Sequence, residues 1–127
     1  MSDDRYSAFC RHLLKLDPSI LFIGLADKFG SLVAMSYRDM PFADEKEAGQ
    51  YAVHTTISSS ILAQFEPKAG KVKYLVAFHK KTARITIPIT RDNEKFFILL
   101  IMDIQRGRVS VIDDSVLPFI LNSKNLL

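Results

Sequence analysis

The sequence predicts one α+β domain: a five-stranded antiparallel sheet with helices on both faces, its elements in the order αββαβββα. Three observations lead there. Two continuous apolar runs, Ile20 to Ala26 and Phe96 to Met102, read as strands buried on both faces and therefore central. Two alternating segments, carried by Val72, Tyr74, Val76 and Phe78 and by Ala83, Ile85, Ile87 and Ile89, read as outer strands. A long helical stretch separates the second strand from the third. With strands numbered along the chain, the order 2-1-5-4-3 follows, the long helix on one face and the terminal helices on the other. At 127 residues the chain, 1–127, is the right size for one domain with a sizeable core.

The first helix is expected from about Asp3 to Leu16, because Tyr6, Phe9, Cys10, Leu13 and Leu14 fall on one helical face. Asp17-Pro18 stops it, since proline disfavours α geometry in the residue before it. The next strand, Ile20 to Ala26, is joined to Ser31–Tyr37 by Asp27-Lys28-Phe29-Gly30. That Asp-x-x-Gly has the form of a γ-phosphate contact in nucleotide-hydrolysing switches. Such a site also needs a Gly-rich loop with Lys and Ser or Thr for the β-phosphate, and the chain has none. The stretch therefore reads as a hairpin turn in which Asp27 bonds back to the backbone and Gly30 takes a positive φ.

Asp44-Glu45-Lys46-Glu47 is a capping pattern that opens a helix running to about Glu66, where Pro67 and Gly70 end it. At 100° per residue, Tyr51, His54, Ile57, Ser58, Ile61, Leu62 and Phe65 share one side, which is the expected core face. Small residues, among them Ala48, Gly49, Ala52, Thr56, Ser59, Ser60 and Ala63, line the other side, and no Lys, Arg, Asp or Glu occurs from Ala48 to Phe65. A helix face that meets only water normally carries such charges. Turns are expected at His79–Thr82 and Arg91–Lys95, and Pro88 suits an outer strand because it cannot donate to a central ladder. In the tail, Val109, Ile112, Val116 and Ile120 keep helical spacing while Gly107 and Pro118 interrupt it. The expectation is a kinked helix, or a short one starting near Asp114 with Pro118 in its first turn.

Composition narrows function mostly by exclusion. Cys10 is the only cysteine, so no intramolecular disulfide forms and a reducing, cytoplasmic setting is expected. The acidic start Met1-Ser2-Asp3-Asp4-Arg5 does not resemble a secretory leader, and no apolar run approaches the roughly 20 residues of a membrane helix. His12, His54 and His79 lie on three different elements without carboxylates at metal-ligand spacing. His54, in the middle of the apolar stripe, is a candidate pH-sensitive core residue. Ser58-Ser59-Ser60 sits inside a helix without the glycines of a nucleophile elbow, and Asp113-Asp114 reads as a helix cap. No catalytic, metal or cofactor site is expected, and the chain is not expected to be an enzyme.

The order of elements, the long central helix and the segment Gly24-Leu25-Ala26-Asp27-Lys28-Phe29-Gly30 resemble the Roadblock family of dynein light chains and GTPase-regulating proteins. Nearly the whole chain is covered; Ile23–Val33 is the most similar piece and Thr82–Asp103 a weaker one. Small archaeal proteins share the layout, and profilin-like and longin domains have related topologies. The resemblance implies a non-catalytic dimer, built from the long helix and the edge strand Lys71–His79, that serves as a platform for a small GTPase or another protein. The residues point the same way: a bare edge strand invites pairing, and a stripe of small residues suits a self-complementary contact. The candidate dimer interface is Ala48, Ala52, Thr56, Ser59 and Ala63 on the helix with Lys73, Leu75 and Ala77 on the strand.

Lys71, Lys73, Lys80, Lys81 and Arg84 form a candidate basic patch for a partner, although a solvated edge is the simpler reading. Two alternatives stand behind the scaffold. One is a small-molecule sensing domain of the PAS or profilin kind. The other, less favoured because Tyr74 and Phe78 are expected to point coreward, is a weak nucleic-acid binder on the basic outer strands, in keeping with a net charge of only +3.

Overall fold

The computed structural model describes residues 2–38 and 45–122. The chain runs α1 (Ser2–Leu14), β1 (Ile20–Asp27), β2 (Leu32–Tyr37), α2 (Glu45–Ala63), α3 (Glu66–Ala69), β3 (Leu75–Phe78), β4 (Thr82–Arg91) and β5 (Glu94–Asp103), then a π-helical turn (Ile112–Val116) continuing into α4 (Leu117–Asn122). All strand pairs are antiparallel and the order is β2-β1-β5-β4-β3, with the two continuous apolar runs at the centre. The expected capping position Asp44 lies outside the described residues.

Local chemistry accounts for the connections. The Asp27 carboxylate accepts the backbone N–H of Phe29 at 2.9 Å and of Ser31 at 3.0 Å, and Gly30 adopts φ +83°. Asp27–Gly30 is thus a hairpin turn, and it abuts α2: a Cβ at Gly30 would stand 3.0 Å from Thr56 Oγ1 and 3.3 Å from Val53 Cα. Between β4 and β5, Asp92 and Asn93 both take left-handed φ values of 52° and 67°, the backbone that a two-residue hairpin favours. Arg38 closes the other end of the sheet, its guanidinium donating to the carbonyls of Leu14 at 2.5 Å, Asp17 at 2.9 Å and Ile20 at 2.6 Å. Those bonds satisfy carbonyls at the end of α1, in the following turn and at the start of β1.

Each sheet face carries its own core. One buries Phe9 and Leu13 of α1 and Ile112, Val116 and Ile120 of the C-terminal segment against Ile23, Leu25, Ile85, Ile98 and Leu100. The other buries Phe22, Phe97, Leu99 and Ile101 beneath Ala48 and Ala52 of α2. The long helix and the terminal helices therefore lie on opposite faces, as the pattern requires.

Several boundaries differ from expectation for identifiable reasons. α1 ends at Leu14, two residues early. α2 ends at Ala63 through tightened bonds from Gln64 N–H to Ile61 O and Phe65 N–H to Leu62 O, and Pro67 then opens the separate helix α3 in its first turn. The third strand is only Leu75–Phe78, because side chains hold the residues ahead of it: Val72 N–H donates to the Glu66 carboxylate at 3.0 Å, and Lys73 and Tyr74 are tied to Asp113. β3 pairs only with Ala83–Thr86, so Pro88 lies on the stretch of β4 beyond its reach, where a missing N–H costs little. Asp113 and Asp114 do not cap the C-terminal helix; Asp113 is engaged by the edge-strand approach instead.

Candidate functional surface

The helix α2 lies the other way up from its expected orientation. Ala48 and Ala52 are completely buried against the sheet and Thr55 nearly so, while Val53 (51% exposed), Ile57 (57%), Ile61 (55%) and, just past the helix, Phe65 (61%) stand in solvent. Of the expected core face only Tyr51 and Leu62, at its sheet-side edge, are partly buried, and His54, Ile57, Ser58, Ile61 and Phe65 are exposed. The reason is volume. The strands below supply Phe22, Phe97, Leu99 and Ile101, which fill most of the layer, so small side chains lie directly beneath the helix and the larger Tyr51 enters only at its edge. Ala48 and Ala52 are consequently withdrawn from the candidate dimer interface, Thr56 and Ser59 are half-buried, and Ala63 is exposed. His54 is exposed and is therefore not the core residue that its place in the apolar stripe suggested.

The exposed side chains recur at Val53, Ile57 and Ile61, a spacing of four residues that makes one continuous ridge. Inspection of the helix alone assigns Ile57 and Ile61 to the core. The available signal was the absence of Lys, Arg, Asp and Glu from Ala48 to Phe65, which marks a helix with apolar character on more than one side.

Beside α2 lies the edge strand β3, hydrogen-bonded on one side only. Leu75 is partly buried and Ala77 exposed; with Ser59, Leu62, Thr86 and Pro88, Leu75 borders a shallow groove between α2 and the edge. Phe78 is 66% exposed rather than directed to the core, and Tyr74 is half-buried with its hydroxyl donating to Asp113 at 3.0 Å.

The expected basic patch divides into three. Lys73 is bound to Asp113 at 2.7 Å, an exposed pair whose hydrogen bond raises the Lys73 pKa and lowers that of Asp113, while the Asp113 hydrogen bond to the Tyr74 hydroxyl raises the phenol's. Lys71 lines the groove near Leu62. Lys80, Lys81 and Arg84 gather at the β3–β4 hairpin. The guanidinium of Arg84 lies 5.3 Å from the centre of the Tyr51 ring, whose hydroxyl meets Ile85 O and Thr86 Oγ1, each at 3.2 Å. Burial is the main cause of the raised Tyr51 pKa, so this phenol stays neutral. Cys10 is completely buried and its thiol is pushed up to about 12 by desolvation, which makes it a packing residue and not a nucleophile. Among the described residues no group of three or more His, Cys, Asp or Glu side chains is placed to hold a metal ion, and no helix is long and apolar enough to cross a membrane.

No protein-family model matches the sequence, and no curated protein does. Comparison of folds, in contrast, finds clear likenesses. The gliding protein MglB from Thermus thermophilus superposes with a TM-score of 0.74 at 11% identity, over 99% of this chain and 87% of that one. An MglB with tetrameric arrangement superposes at 0.79 with 9% identity, over 98% and 89%. A Roadblock/LC7 domain from Streptomyces avermitilis gives 0.66 at 13% identity, over 91% and 97%. The fold of this chain is Roadblock-like.

Proposed function

We propose that the chain is a non-catalytic regulatory scaffold that self-associates through β3 and the adjoining side of α2 and presents the outer ridge of α2 to a protein partner. The observation that carries this reading is the ridge itself: Val53, Ile57, Ile61 and Phe65 are all more than half exposed on one side of a single helix and its extension. Burying such a side chain contributes about 1.5–3 kcal/mol, so the ridge holds binding free energy that the isolated fold leaves unused.

Pairing of β3 with a second copy across a two-fold axis would continue the sheet and bring two α2 helices onto the same face. Leu75 and Ala77 on the strand and Ser59 and Leu62 on the helix are the residues proposed for that contact, with Lys73 at its margin. The ridge points away from the sheet, so it would remain outside as a platform. A small GTPase is the partner class that the family resemblance implies, and likeness to a gliding protein and to a tetrameric MglB supports a regulatory, self-associating role.

Light scattering across a dilution series tests the first half: a persistent mass near twice 14.4 kDa is expected, and a monomer at every concentration rejects it. Binding assays against small GTPases in GDP and GTP-analogue forms test the second. Ile57→Lys/Ile61→Lys should abolish binding while leaving the mass unchanged; binding that survives this change would exclude the ridge.

A further inference from the structure

Separate from the ridge, a wide, open cleft of ≈ 660 Å³ lies between the first half of α2 and the β3–β4 hairpin. Glu47, Tyr51 and His54 form its helix wall, and His79, Lys80 and Lys81 its hairpin wall. Arg84 and Ile101 rise from the sheet between them. Among the described residues that line it, three permanent cations, Lys80, Lys81 and Arg84, thus face a single carboxylate, Glu47, leaving a local positive excess.

Two features separate this cluster from an ordinary solvated edge. The first is that Lys80 and Lys81 have no ion-pair or side-chain hydrogen-bond partner among the described residues, in contrast to Lys73, which Asp113 neutralises. The second is that Arg84, although exposed, rests against an anchored ring. Its guanidinium lies over the Tyr51 ring, and that ring is anchored through its hydroxyl to the backbone of Ile85 and the side chain of Thr86. A cation already oriented over a fixed ring loses somewhat less conformational freedom when a ligand arrives. The cleft volume is within the roughly 300–1,000 Å³ typical of small-molecule sites. Ammonium and guanidinium groups supply only donors, and imidazoles add further donors when protonated, the set that phosphate oxygens require.

We propose that this cleft binds a small molecule carrying two or more phosphate groups, with Lys80, Lys81 and Arg84 as its principal contacts and the Tyr51 ring as the support that positions Arg84. A nucleoside polyphosphate and an inorganic polyphosphate share this chemistry. The proposal does not rest on self-association or on the ridge.

Isothermal titration of the full chain with tripolyphosphate and with ATP provides the test, beside a poly-glutamate peptide and sodium sulfate at matched ionic strength. Saturable one-site binding of at least one phosphate compound is expected. Lys80→Gln/Lys81→Gln, which alters only exposed side chains, should weaken it on the order of tenfold or more with an unchanged Tm. Tighter binding of ATP than of tripolyphosphate would identify the nucleotide as the source, and equal or weaker binding the inorganic chain. The absence of saturable heat at millimolar concentration, equal affinity in the double variant, or binding confined to the poly-glutamate peptide would each overturn the proposal.

Discussion

On the α1 side of the sheet, large side chains meet large ones, Phe9 and Leu13 against Ile23, Ile98 and Leu100; on the α2 side the strands contribute Phe22, Phe97 and Leu99 while the helix contributes Ala48 and Ala52. The first helix commits its bulky residues to the core. The second settles close to a largely filled layer and turns most of its bulky residues outward. An amphipathic helix is thus oriented by the free volume beneath it as well as by its own apolar side, and the side left over becomes available to a partner.

The largest expected effect tests the first face. Phe9→Ala should lower unfolding stability by about 3–5 kcal/mol in denaturant titration, because a closed core cannot collapse around the lost ring. Next comes the underside of α2, where Ala52→Leu should cost about 1–3 kcal/mol through overpacking. If Ala52→Leu instead proved neutral, the claim that the α2 layer is largely full would fail.

A smaller effect concerns the tie between the edge-strand approach and the C-terminal segment. The pKa of Asp113 is lowered in the folded state by its bonds to Lys73 and Tyr74, so its contribution is present above the unfolded value of about 3.9 and fades as pH falls through the folded value. Lys73, whose pKa is raised, loses its share as pH rises through its own elevated value. Melting curves of wild type and Asp113→Asn should therefore differ slightly at pH 7 and converge in acid; a gap that persists at pH 2 would assign the difference to another cause. Smallest of all, Ile57→Gln should change monomer stability by no more than about 0.5 kcal/mol at a concentration too dilute for association. A loss of several kcal/mol there would mean that the ridge belongs to the core after all.

Much of this architecture was readable along the chain. The runs Ile20–Ala26 and Phe96–Met102 announced the central strands because a strand covered on both faces has no polar alternation, and Asp27 to Gly30 announced its turn through a carboxylate and a glycine whose roles are local. The candidate surface was less legible. Lys71, Lys73 and Lys80 are near neighbours in sequence, yet one borders a groove, one is neutralised by the distant Asp113, and one faces the cleft. The pairing of Arg84 with Tyr51 joins a strand to a helix and leaves no mark in either segment.

Residue order alone was enough to set the five strands, their arrangement and the three main helical segments, though not the separate α3 or the short extent of β3, because hydrophobic periodicity, proline, glycine and the turn carboxylates act over a few residues. Which side of α2 meets the sheet, and which cations share a cleft, became visible only in the folded chain. Those outcomes depend on the volume that Phe22, Phe97, Leu99 and Ile101 occupy together, and on distances between segments that become neighbours only once the chain has folded.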